Sequence, residues 1–177
     1  DRGQPGGYDQ YSELMAHFIR DVRKDLAAPA LPFVIGVIGV GGPTDKYGPD
    51  QQRYQAIHQN FRDAMAAPAA LPEFRGNVAA VLTENYWDME VTGLRKRERE
   101  LKPSLDEIAN AIKSGKLSRE EGKTAIDKLY AENFNPREME LLKKSVSNAE
   151  FHYLGSAGIM ARIGKAFAEA LVKLDRK

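Results

Sequence analysis

The chain has 177 residues, 42% of them apolar, enough for one sizeable core and, by length, one domain with at most an elaboration. Its 26 Lys and Arg against 25 Asp and Glu leave a formal net charge of +1, which excludes a global field that would draw in nucleic acid or an anionic membrane. There is no cysteine, hence no disulfide framework or thiolate metal site, and the longest apolar run, Phe33 to Val40, is too short to span a bilayer.

The opening Asp1-Arg2-Gly3-Gln4-Pro5-Gly6-Gly7 is a polar, Gly-rich loop without an initiator methionine, and it reads as the middle of a longer protein. Tyr11, Leu14, Met15, Phe18, Ile19, Val22 and Leu26 then recur at three- and four-residue steps, which predicts a helix with one apolar face, ended by Pro29. Phe33 to Val40 is continuous and β-branched, bounded by Pro32 and Gly41-Gly42-Pro43, as a strand buried on both faces requires. Tyr54, Ile57, Phe61, Ala64 and Met65 predict a second helix, and Asn77 to Thr83 a second buried strand. Helix, strand, helix, strand in that order points to an α/β fold: a three-layer α/β/α, doubly wound parallel sheet, with ligands beyond the carboxyl ends of its strands. The loops at those ends are Gly41 to Pro49 and Glu84 to Glu90.

From Val91 to Asn148 the chain turns charged and helical, which predicts an insertion. Ser104 with Glu107, Ser118 with Glu121, and Asn135 with Pro136 and Glu138 each pair a capping side chain with an acid three residues on, so three helix starts are expected, with Gly115 ending the first of those helices. The run Arg95-Lys96-Arg97-Glu98-Arg99-Glu100 has its charges interleaved and reads as a solvated helix face. The closing helix carries an apolar face of Met160, Ile163, Phe167, Leu171 and Leu174, with Ser156 placed to cap it.

Chemistry concentrates in Phe151-His152-Tyr153-Leu154-Gly155-Ser156-Ala157-Gly158, where a histidine in a short loop feeds a helix, a place suited to a general base. His17 and His58 read as ordinary surface or boundary residues. A base needs an orienting acid, and two are open: Glu150, two residues upstream, and Asp88, in a strand-end loop where it could equally cap the next helix. No nucleophile motif appears, because Ser156 lacks the preceding strand of a nucleophile elbow. The glycines from Gly36 to Gly42 do not fit a dinucleotide fingerprint, and neither a zinc nor a nucleoside-triphosphate motif is present.

Tyr11 to Leu26, Leu31-Pro32-Phe33-Val34-Ile35-Gly36-Val37, Val40-Gly41-Gly42 and His152-Tyr153-Leu154-Gly155-Ser156-Ala157, in that order, resemble the C-terminal half of a sialate O-acetylesterase-type domain, a carbohydrate esterase of the SGNH hydrolase superfamily. The resemblance covers nearly the whole chain and implies a serine esterase acting on O-acetylated carbohydrate without metal or organic cofactor, in an extracellular or periplasmic setting. His152 takes the place of the family's histidine. Gly41, Gly42, Asn85, Tyr86, Trp87 and Tyr153 would line the sugar site, with Tyr86 and Trp87 able to stack on a pyranose. The family's serine, oxyanion-hole glycine and central Gln or Asn have no counterpart and would precede Asp1. The aspartate many members place three residues before the histidine is Ala149 here. Half of a doubly wound sheet would expose a strand edge, which predicts pairing with the missing N-terminal part or with a second copy. The competing expectation is a non-catalytic binding module that uses the helical insertion.

Overall fold

The computed structural model describes residues 2–175. The protein is α/β and predominantly helical, with one small parallel sheet. The chain runs through α1 (Asp9–Asp25), β1 (Phe33–Val37), α2 (Gln55–Ala66), β2 (Val78–Leu82), α3 (Met89–Glu100), α4 (Lys102–Lys113), α5 (Arg119–Asn133), α6 (Pro136–Ser145) and α7 (Ala157–Asp175). It divides into two compact units. The first comprises Asp1–Trp87, Glu150–Tyr153 and Ala157–Lys177, and the second Asp88–Ala149 and Leu154–Ser156.

In the first unit β1 and β2 pair in parallel, Phe33 opposite Val78 through Val37 opposite Leu82. Parallel strands need a long crossover, and residues 38 to 77 supply it through α2. Ile35, Val37 and Val78 form the core with Ala16 and Ile19 of α1 and with Phe74. Gly36 points the other way: a Cβ there would come within 2.7 Å of the Phe167 ring of α7. Helices therefore cover both faces, which explains why the strands read as unbroken apolar runs.

Several details differ from the sequence expectation. Among the described residues the sheet has two strands, because no third stretch has strand character, so these residues alone do not build a doubly wound sheet. β1 stops at Val37, where the chain bends into the Gly39 turn, and not at Val40. The buried side of α1 is Ala16, Ile19 and Arg23, while Leu14, Phe18 and Leu26 are exposed. Arg23 earns its buried place by donating to the Leu31 carbonyl at 2.8 Å and to Asn77 Oδ1 at 2.9 Å, tying the end of α1 to the start of both strands. Along α7, Ile159 and Ala166 are buried and Met160 and Leu171 exposed.

The second unit is helical. Ser118 and Asn135 each form a complete capping box, with Glu121 and Glu138 respectively. Ser104 does not cap: α4 starts at Lys102 because Pro103 is pre-set for the first helical turn, and Ser104 falls inside the helix. Gly115, with φ 75°, ends α4 in a Schellman motif, in which Lys116 N–H donates to the Ala111 carbonyl at 2.9 Å and Gly115 N–H to Ile112 at 3.1 Å. Two cations of the basic run pair within this unit. Arg95 pairs with Glu98, while Arg97 pairs with Glu138 at 2.7 Å and lies over the Phe134 ring.

Candidate functional site

The carboxyl ends of β1 and β2 are brought together by Gly39 and Thr83. A Cβ on Gly39 would lie 1.9 Å from the Glu84 nitrogen, so only glycine fits the crossing. Thr83 Oγ1 donates to the Val37 carbonyl at 2.7 Å, and its oxygen lies 2.6 Å from the Tyr153 hydroxyl. Gly39 N–H donates to that same Tyr153 oxygen at 2.9 Å. Proton counting then assigns the roles. Thr83 has used its one proton on Val37, so Tyr153 donates to Thr83 and accepts from Gly39. The tyrosine's hydrogen bonds are committed to the fold, and its ring packs on Trp87 with centroids 5.9 Å apart. Tyr153 thereby pins the histidine turn, Glu150–Gly155, to the ends of both strands.

That turn holds its backbone in an unusual state. Tyr153, Leu154 and Gly155 have φ of 52°, 60° and 59°, a left-handed run in which the first two are not glycine. Within the second unit, the Leu154 carbonyl accepts from Ser147 and Asn148 N–H at 2.9 and 3.0 Å, and Leu154 itself is buried. His152, one residue before the run, is exposed, with its ring 4.3 Å from that of Phe151. Among the described residues its imidazole makes no hydrogen bond, so neither candidate acid orients it. Asp88 is the N-cap of α3, its Oδ1 accepting from Val91 N–H at 3.0 Å, and belongs to the second unit; Glu150 opens the histidine turn in the first. Ser156 sits directly before α7 and is buried, which agrees with a capping position and not with an accessible nucleophile.

The expected sugar-site residues divide. Gly41 and Gly42 have φ of 85° and 78° and turn the chain sharply beyond β1, while Asn85 is exposed and Tyr86 half-buried, its carbonyl accepting from Arg162 at 3.1 Å. Trp87 is only 7% exposed, so it serves the core and offers no open face for stacking. Tyr153 is a positioning residue, for the reasons above.

Sequence reasoning missed a second set of polar residues at the same strand ends. Arg62, 3% exposed, donates to the carbonyls of Gly42 at 2.9 Å and Val40 at 3.0 Å, to the Tyr47 hydroxyl at 3.2 Å, and to the Glu84 carboxylate. Tyr47 in turn lies 2.9 Å from His58 Nδ1. His58 is an exposed residue, but partial desolvation of its ring and the positive Arg62 lower its pKa below the ordinary value and so favour the neutral ring, while burial raises that of Tyr47. A cavity of about 280 Å³ opens beside this chain, lined by Ile38, Val40, His58, Phe61, Arg62 and Phe151. The only sequence cue was Arg62 on the apolar side of α2, a charge that needs partners if buried.

Among the described residues no group of three potential metal ligands occurs, and no helix is long and apolar enough to cross a membrane. No protein family, curated protein or solved structure matches the chain.

Proposed function

We propose that this chain is the C-terminal part of an SGNH-type carbohydrate O-acetylesterase in which His152 is the general base. The observation that carries the reading is the pinning of an exposed histidine turn to the carboxyl ends of two parallel strands, through Tyr153, Gly39 and Thr83. Ligands of open α/β sheets gather at that edge. In the proposed reaction a serine from a segment preceding Asp1 gives its proton to His152 and attacks the acetyl carbonyl. The proton passes to the departing sugar oxygen; His152 then takes a proton from water, whose oxygen attacks the acetyl-serine carbonyl, and returns that proton to the serine oxygen as acetate leaves. The same segment would extend the sheet along the edge of β1 not paired with β2, completing the three-layer doubly wound fold. Phe18, 54% exposed with its ring edge-on to Phe33 of β1, is an apolar side chain such an extension would cover.

A non-catalytic binding module is the second reading, favoured by the burial of Ser156 and by Asp88 serving as a helix cap. A fluorophosphonate probe separates the two. Chain extended upstream through the proposed serine should take up one adduct and release acetate from O-acetylated xylan or sialic acid, and His152→Ala should lower kcat by about 10⁴-fold or more. An extended protein that takes no adduct and releases no acetate would sink the esterase reading.

A further inference from the structure

The hydrogen-bond chain behind the 280 Å³ cavity fixes what the cavity offers a ligand. A guanidinium only donates, so the Tyr47 oxygen accepts from Arg62, and because the hydroxyl of Tyr47, 5% exposed, has no acceptor among the described residues other than His58 Nδ1, its proton goes there. With Nδ1 accepting, the proton of the neutral imidazole resides on Nε2, and that N–H has no partner among the described residues. The other N–H groups of Arg62 are engaged and its Nε, which has no partner, is buried, so His58 Nε2–H is the donor left for a ligand. The charge of Arg62 is met by Glu84, so the local charge balances at a small cavity whose walls, besides Arg62 and His58, are Ile38, Val40, Phe61 and Phe151.

We infer that this cavity is a binding site for a compact, neutral, apolar group carrying one carbonyl oxygen, which accepts from His58 Nε2–H. Apolar walls reward hydrocarbon, and a neutral ring beside a compensated arginine gives no surplus positive charge for a carboxylate. Phe151 joins the cavity to the proposed base, since its ring is a wall of the one and lies against the imidazole of the other. The inference rests on the esterase reading only in naming the occupant an acyl group. His58 is then a specificity residue, selecting the acyl portion of the substrate.

The test needs no turnover and uses the 177-residue chain. Acetophenone, toluene and benzoate are titrated while the three histidine imidazoles are followed by NMR. Acetophenone should shift the His58 resonances saturably, with a Kd of about 1 mM, reasonable for so small a ligand. Toluene and benzoate should each bind about tenfold more weakly. His58→Phe should reduce acetophenone to the toluene level, and Ile38→Trp, at a position exposed enough to accept the larger ring, should abolish binding of both. Equal affinity for toluene and acetophenone, tighter binding of benzoate, or unchanged binding in Ile38→Trp overturns the inference. Fluorophosphonate labelling of the extended protein is independent of all these outcomes, so either proposal can fail alone.

Discussion

The two units hold together by different means. The helical unit is assembled from local devices: two capping boxes, a Schellman turn and pairs of charged side chains on neighbouring turns and helices, while α4 and α6 bury no residue completely. The sheet-bearing unit depends on contacts between residues far apart in the chain. Arg23 reaches Asn77, Arg62 reaches Glu84, and Gly39 meets both Thr83 and Tyr153. The capping groups in the first case sit near water and contribute little each; Arg23 and Arg62 in the second are buried, and each partner removed leaves another unsatisfied. One molecule thus contains a region tolerant of change and a region where single atoms matter.

The sharpest way to break this contrast is at glycine. Gly39→Ala drives a methyl group into the Glu84 backbone and should prevent folding of the sheet-bearing unit or cost about 3 kcal/mol or more in urea denaturation. Gly93→Ala, inside α3 with nothing near its Cβ, should instead gain about 0.5–1 kcal/mol. Equal midpoints for the two variants would remove the close crossing of the strand ends from the account. A smaller effect is expected at the caps. Ser118→Ala and Asn135→Ala should each lose about 1 kcal/mol, in additive fashion when combined, because the two caps share no partner. Non-additivity in a double-mutant measurement would show that the two helix starts are coupled.

The smallest expected effect is one of pH. His58 has its pKa lowered in the folded protein, chiefly by partial desolvation and also by Arg62, so the unfolded chain takes up the proton first as pH falls. The stability this contributes is complete above the ordinary value near 6.5 and is lost as pH falls from there through the lower folded pKa. NMR titration should place the His58 midpoint below 6.5, and Tyr47→Phe, which removes the proton donated to Nδ1, should raise it. A midpoint unchanged by Tyr47→Phe would reverse the tautomer assigned to the ring.

The same contrast governs what could be read before the structure. Both strands, their parallel pairing and two of the three helix caps were legible, because apolar runs and capping residues act within a few positions of themselves. Ser104 misled because Pro103 started its helix earlier, and the face of α1 was misread because Arg23 is buried by partners on other elements. The loops around the candidate site were legible, but the roles of their side chains were not. Trp87 and Tyr153 look like ligand contacts in a list of residues, and only the positions of Thr83 and Gly39 show that the tyrosine hydroxyl is spoken for. His58 was passed over for the converse reason, since its partners Tyr47 and Arg62 are ordinary residues until folding aligns them.

The left-handed run at Tyr153, Leu154 and Gly155 bears on how this molecule can evolve. Non-glycine residues in that conformation cost about 1–3 kcal/mol each, and here the cost is offset by the hydrogen bonds of the tyrosine and the burial of the leucine. Gly155 has no room at all, since a Cβ would lie 2.3 Å from Ser147 Oγ. Genetic drift through these three positions is therefore closed to most single substitutions, and innovation at this edge of the protein has to come from the neighbours, Phe151 above all, whose large exposed ring can be exchanged without touching the strained backbone.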